Sequence, residues 1–282
     1  MDFLSLDPLL RQALQEDLGR GDITTDSILP SVAERSCTVQ ARIVAKESLI
    51  LAGWPVFLRV FELLAGSAVQ SELCLGEGRQ VDPGTIGSIR GEAALLLKGE
   101  RVALNFLQRM CGIATQTRKY ADLIGHTRAT LLDTRKTTPL WRSLEKYAVR
   151  MGGGQNHRLG LDDGILLKEN HIALAGGVRQ ALRACTRARR HLQRIEIELQ
   201  DLNEVQVALE EGADVILLDN MSPEQVRRAV AAVRGRCQLE VSGGINEQNI
   251  VEYAETGVDF ISLGALTHSY RASDISLLVE IL

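Results

Sequence analysis

A chain of 282 residues with 45% hydrophobic and 24% charged side chains has an ordinary globular balance and enough apolar content for one large domain beside a small one. Its formal charge of -4 and pI near 5.8 lack the basic excess of a general nucleic-acid or anionic-membrane binder, so neither nucleic acid nor membrane is expected as a partner. Five scattered cysteines, Cys37, Cys74, Cys111, Cys185 and Cys237, never in C-x-x-C spacing, make neither a disulfide framework nor a cysteine zinc site, and the acidic opening MDFLSLDPLLRQALQED lacks the basic-then-apolar run of a signal peptide; the expected compartment is the cytoplasm.

In chain order, the spacing of Leu9, Leu10, Ala13, Leu14 and Leu18 predicts a helix over 8–18, closed by Gly19-Arg20-Gly21-Asp22 and followed by a loop. Clusters of β-branched and apolar residues predict strands at 37–45 and 48–52. Pro55 then opens a helix with Val56, Phe57, Val60, Phe61 and Leu64 on one face. Further strands are expected at 71–75 and 84–91, then two long helices, 100–110 and 114–124, broken at Cys111-Gly112. Short connections around a single helix suit an antiparallel sheet, so residues 1–111 read as a small mixed domain, with a C-terminal helix over 270–282 packing back on it.

Residues 112–269 have a different rhythm. Short apolar runs at 129–132, 164–167, 195–199, 214–218, 239–241 and 260–263 are mostly separated by amphipathic helical stretches such as 203–211 and 223–233. This β-then-α repeat predicts a parallel α/β barrel. The runs end in Asp133, Lys168, Glu198, Asp219, Ser242-Gly243-Gly244 and Gly264, and in such a barrel the C-terminal strand ends form a common mouth. One polar residue at a strand exit would mean only contact with solvent; six together point to a site.

The stretch 131–172 concentrates Arg135, Lys136, Arg142, Arg158 and Lys168, with His157 and His171 beside them, inside an acidic protein. That contrast indicates a local anion pocket. Arg135 and Arg158 offer bidentate forks to carboxylates, each charged hydrogen bond contributing roughly 1.5–3 kcal/mol, although any single arginine is as readily a surface ion pair. His157, after a glycine triplet, reads as a ligand contact rather than a core histidine. Lys168 is either a desolvated Schiff-base nucleophile or a cation for a substrate anion. Glu198 and Asp219 suit a divalent metal, sugar hydroxyls or a positively charged sugar carbon; with no histidine pair at ligand spacing, magnesium arriving with a pyrophosphate is expected rather than zinc. The turn at Val241–Ile245 before a helix over 247–256, with Gly264 to His268 at the next strand end, predicts a phosphate site. His126, His191 and Arg187–Arg190 read as exposed, and Trp54 and Trp141 as packing residues.

DTRKTTP at 133–139, EKYAVRMGGGQNHRLGLDDGILLKENH at 145–171, ILLDN at 216–220, LEVSGGI at 239–245 and ISLGALTHS at 261–269 together resemble the quinolinate phosphoribosyltransferase family, as does EDLGRGDITT at 16–25. The resemblance implies a small N-terminal α/β sandwich and an incomplete TIM-like α/β barrel. It implies formation of nicotinate mononucleotide, carbon dioxide and pyrophosphate from quinolinate and phosphoribosyl pyrophosphate, with magnesium, in NAD biosynthesis. By motif, Arg135, His157, Arg158 and Lys168 would bind quinolinate, helped by Arg101 from the partner subunit of a homodimer or an oligomer of dimers. Lys136 and His268 would attend the pyrophosphate, Glu198 and Asp219 the ribose and metal, and Ser242, Gly243 and Gly264 the 5-phosphate. Leu140-Trp141 departs from the family, many members of which carry glycine and then an apolar residue after the proline; altered loop packing rather than altered chemistry is expected. Other readings of the same residues are a Lys168 Schiff-base lyase, a phosphoribosyltransferase for another acid, and a non-catalytic anion-binding regulator on the same scaffold.

Overall fold

Asp2 accepts the Leu4 N–H at 3.0 Å and so starts helix α1 (Phe3–Leu18) well ahead of residue 8, leaving Pro8 inside it. Leu6, Leu10 and Leu14, one helical turn apart, form its buried stripe. A second helix, α2 (Ile23–Val32), stands where a loop was expected, because Asp22 accepts the Thr25 N–H at 3.0 Å and caps it. The computed structural model describes residues 1–32 and 38–281, and Cys37, the expected start of the next strand, lies outside the described residues.

Along β1 (Thr38–Ala45) every second residue, Val39, Ala41, Ile43 and Ala45, is buried. After β2 (Leu49–Ile50) comes α3 (Trp54–Ala65), with proline in its first turn and Trp54, Val56, Phe57, Val60 and Phe61 buried. Trp54 stacks on Phe57 at 5.0 Å between ring centroids, and Phe57 meets Phe61 edge-on at 5.2 Å, so Trp54 is a packing residue. Next follow β3 (Gln70–Leu73), β4 (Gln80–Val81), β5 (Gly84–Glu92) and one 32-residue helix, α4 (Ala93–Ile124), where two were expected. Gly112 does not break it. A Cβ there would sit 2.2 Å from the Arg271 carbonyl oxygen, so the glycine makes room for a distant segment, at a helix-propensity cost of about 1 kcal/mol.

The β-then-α repeat then unrolls as β6 (Thr130–Leu132), α5 (Arg142–Met151), β7 (Ile165–Leu167), α6 (Glu169–Ala175), α7 (Val178–Ala188), β8 (Ile195–Leu199), α8 (Leu202–Glu210), β9 (Val215–Asp219), α9 (Pro223–Val233), β10 (Gln238–Ser242), α10 (Ile250–Ala254), β11 (Phe260–Ser262) and α11 (Ala265–His268). The six strands form one sheet in the order β6-β11-β10-β9-β8-β7 with all neighbours parallel, the open sheet of an incomplete barrel. Helix α9 shows how the sequence sets a boundary: Ser222 and Gln225 cap it reciprocally, and Pro223 fills its first position.

The segment expected to end the chain as a helix is a strand, β12 (Ile275–Ile281), antiparallel to β1 from Val39–Ile281 to Ala45–Ile275. Its alternation buries Ile275 and Leu277, which the open edge of β1 rewards and a helix would not. The resulting antiparallel sheet runs β12-β1-β5-β3, beside a two-stranded pair of β2 and β4. The chain thus forms two units, Met1–Gln116 with Arg150–Gly152 and Tyr270–Leu282, and Thr117–Val149 with Gly153–Ser269. Among the described residues no helix is long and apolar enough to cross a membrane.

Candidate active site

Residues two apart on a strand share a face, so each strand of the parallel sheet presents a strand-end residue and one about 6.6 Å deeper. At the strand ends, Lys168, Glu198, Asp219 and Ser242 line a cavity of about 330 Å³. One step below them the same cavity meets Leu166, Leu217, Glu240 and Ser262. Arg135, Lys136, His157 and Arg158 complete its wall from the connections flanking α5. Eight of the expected site residues therefore gather around one opening.

Asp133, at the end of β6, does not line that cavity. It is fully buried and accepts from the His157 N–H at 2.9 Å, from Asn156 Nδ2 and from Lys146 Nζ, while Lys146 also donates to the His157 carbonyl at 2.9 Å. This internal knot fixes the backbone of His157. Arg158 donates through Nη1 to the Gly164 carbonyl at 3.0 Å, and its Nε is buried without a hydrogen-bond partner. Burial first, and the neighbouring Arg135 charge second, lower the pKa of Arg158. A crowded, partly desolvated pair of guanidiniums suits an anion.

On the opposite side Lys168 Nζ pairs with Glu198 Oε2 at 2.5 Å, and the Lys168 side chain is 46% exposed. An ammonium so open to solvent suits a charge partner for a substrate; a Schiff-base lysine needs the desolvation that this one lacks. Asp219 accepts from Gln200 Nε2 and Asn220 Nδ2, both at 2.9 Å. Two carboxylates on neighbouring strand ends, facing a polar cavity, match the donor set magnesium takes while keeping several waters. His157, Glu196 and Glu240 also lie with one ligand-type atom each within 4.8 Å of one another. There, however, His157 Nδ1 accepts the Arg158 N–H at 2.7 Å and Nε2 faces Glu196 Oε2 at 2.9 Å, a hydrogen-bonded arrangement that occupies the ring.

Gly243, Gly264 and His268 are not part of the cavity lining. Gly243, at φ 92°, lies so close to Asn220 that a Cβ would come within 2.2 Å of its Oδ1. Gly264 is flanked by Lys136 and His268, whose Cδ and Nε2 would lie 2.8 and 3.0 Å from a Cβ. Helix α10 begins at Ile250 rather than at 247, so any phosphate here meets the amides of the glycine turn and not a helix start. Arg101 is exposed on α4 in the other unit. His126, His191 and Arg187 to Arg190 are exposed, as expected.

Glu196, Glu240, Lys146 and Asn156 escape a reading that stops at strand ends. The signal was the period: Glu196 lies two residues before Glu198 in IEIEL, and Glu240 two before Ser242 in QLEVS, so each must share the inward face. Burial, then the negative charge of Glu196, push the Glu240 carboxyl up to about 8. Burial opposes a charge on His157, but the hydrogen bond to Glu196 and the charges of Glu240 and Glu196 outweigh it and raise its pKa.

Known proteins share both units. The family description "Quinolinate phosphoribosyl transferase, N-terminal domain" matches residues 22–111, and "Quinolinate phosphoribosyl transferase, C-terminal domain" matches residues 113–278. The chain is 44% identical over 278 residues to a Bacillus subtilis protein named probable nicotinate-nucleotide pyrophosphorylase [carboxylating], covering 98% of this chain and 94% of that one. It is 41% identical over 274 residues to the Mycobacterium leprae nicotinate-nucleotide pyrophosphorylase [carboxylating], covering 95% of each. The crystal structure of NadC from Streptococcus pyogenes superposes with a TM-score of 0.93 at 38% identity, over 100% of this chain and 99% of that one. With both of its units matched and its length spanned, the chain belongs to the quinolinate phosphoribosyltransferase family.

Proposed function

We propose that the protein transfers the phosphoribosyl group of phosphoribosyl pyrophosphate to quinolinate with decarboxylation, giving nicotinate mononucleotide, carbon dioxide and pyrophosphate in NAD biosynthesis. The observation that carries this reading is the gathering of Arg135, Arg158 and Lys168 with Glu198 and Asp219 around one 330 Å³ cavity. The cations suit a doubly acidic heterocycle, and the carboxylates suit a sugar that becomes positive.

Arg135, Arg158 and Lys168 bind the two carboxylates and hold the pyridine nitrogen toward the anomeric carbon of the donor, with His157 beside them. As the bond from that carbon to the pyrophosphate oxygen breaks, the electron pair leaves with the oxygen, and Glu198 and Asp219 face the developing positive charge. The nitrogen then completes its bond to carbon. The ring, now cationic, accepts the electron pair released as the adjacent carboxylate departs as carbon dioxide, and a proton takes its place on the ring carbon. Positioning therefore does most of the catalytic work.

Lys136 and His268 attend the pyrophosphate, and Ser242, Gly243 and Gly264 the 5-phosphate. Magnesium held by Glu198 and Asp219 would supply charge neutralisation to the donor. Arg101, exposed on α4, reaches a second subunit's site in a homodimer or an oligomer of dimers. Four unpaired cysteines among the described residues, Cys74, Cys111, Cys185 and Cys237, support the cytoplasm as compartment. The test mixes purified protein with quinolinate, phosphoribosyl pyrophosphate and magnesium and looks for nicotinate mononucleotide by chromatography. Absence of product together with absence of quinolinate binding would overturn the reading.

A further inference from the structure

One step below the strand ends, the inward face of the sheet carries two kinds of residue at one depth. Strands β7 and β9 place Leu166 and Leu217 there, while β8 and β10 place Glu196 and Glu240. Glu240 is 2% and Glu196 9% exposed, and the Oε1 atom of each is buried without a hydrogen-bond partner. Packing alone would favour two more leucines, because a buried carboxylate with an unmatched oxygen is costly. Their other oxygens converge on one group. Glu196 Oε2 lies 2.9 Å and Glu240 Oε2 3.7 Å from His157 Nε2.

On the far side of the ring, Nδ1 accepts the Arg158 N–H at 2.7 Å. With Nδ1 accepting, the ring in this arrangement is neutral and its one hydrogen sits on Nε2, directed at the glutamates. A second cavity, of about 390 Å³, lies beneath, lined by Arg194, Val215 and Phe260 and sharing His157, Arg158 and Glu240 with the upper one. The imidazole thus stands in a thin partition with open space on both faces, and packing alone does not lock it.

We propose that Glu196 and Glu240 are positioning residues, which clamp the His157 ring from below and through its Nδ1 hold the Arg158 backbone, so that the guanidinium meets the diacid in register. This rests on the reading of the upper cavity as a quinolinate site. Both act through the histidine ring: Glu196 lines only the lower cavity, and Glu240 lies one step below the strand ends. Loss of the clamp lets the ring turn about its Cβ–Cγ bond, frees the Arg158 amide and blurs the acid-binding half of the site, while the donor half at Ser242 and Gly243 keeps its own supports.

The experiment measures quinolinate affinity by calorimetry, and KM for each substrate, in the wild type, Glu196→Leu, Glu240→Leu, Glu196→Asp and Glu196→Gln. In the leucine and aspartate variants KM for quinolinate should rise about tenfold or more while KM for phosphoribosyl pyrophosphate stays within about twofold, the scale expected of a small misplacement. Glu196→Gln, whose amide oxygen still accepts from Nε2, should recover most of the loss. Nitrogen NMR should show a fixed Nε2–H ring in the wild type and tautomer averaging in Glu196→Asp, which stays informative if the leucine variants fail to fold. An unchanged quinolinate KM in folded variants, a parallel rise in both KM values, or a glutamine variant no better than aspartate overturns the clamp. Wild-type protein that binds no quinolinate would instead sink the functional reading beneath it.

Discussion

Lys146 on α5 and Asp133 after β6 form an ion pair from which water is excluded, their side chains 1% and 0% exposed. Burial pushes the Asp133 carboxyl up and the Lys146 ammonium down, each against its partner's pull. Such a pair is retained only where further hydrogen bonds complete it, and Asn156 and the His157 backbone do so. Lys146→Met, which strands the carboxylate, should cost about 3–5 kcal/mol in urea unfolding. A loss below about 1 kcal/mol would mean that water reaches the pair.

The pH dependence of stability should carry the mark of Glu240. Its carboxyl is raised from an ordinary 4.5 to about 8, so between those values the folded protein holds more protons than the unfolded chain. This contribution is fully present below about 4.5 and is lost as pH rises toward about 8. Glu240→Gln should flatten the fall in melting temperature across that window. An equal fall in both proteins would assign it to other groups.

Substrate choice should follow the number of carboxylates. Nicotinate leaves at least one of the crowded cations without its anion, and discrimination in kcat/KM should reach roughly 10⁴-fold. Arg135→Ala should weaken quinolinate far more than nicotinate. Comparable turnover of the two acids by the wild type would contradict the anion-site assignment.

In the proposed donor half, Gly243 combines a left-handed backbone with a near contact to Asn220. Gly243→Ala should raise KM for phosphoribosyl pyrophosphate about tenfold or more, while quinolinate affinity in calorimetry stays near that of the wild type. Weakening of both ligands together would show that the turn supports the whole mouth.

Leu140 has φ 68° and is 78% exposed. The resemblance marks this position as one where glycine is common, and the backbone explains why: a left-handed conformation costs an L-residue roughly 1–2 kcal/mol. Leu140→Gly should therefore leave stability unchanged or raise it by up to about 1 kcal/mol, the greater freedom of an unfolded glycine offsetting part of the gain. A drop in melting temperature would mean that the leucine packs usefully.

How much was legible divides along the range of the interaction. The six parallel strands and helices such as α9 were readable because periodicity, caps and glycine turns are local. Gly112 looked like a helix break because its reason, the carbonyl of Arg271, is far away in the chain. Likewise β12 looked helical because only β1 makes it a strand. At the site, charged residues after apolar runs announced themselves, whereas Glu196 and Glu240 were hidden inside runs read as core. Counting by twos from Glu198 and Ser242 recovers both.

The pairing of β12 with β1 also fixes an order of events during translation. Residues 38–45 leave the ribosome with one flank of their hydrogen-bonding groups unmet, and the partner that covers it, 275–281, is made only after the barrel has been spelled out. For most of synthesis the small sheet offers a bare edge to other nascent chains. Truncation between residues 269 and 274 makes that exposure permanent, so such shortened products should aggregate even though every residue gathered at the barrel mouth is present.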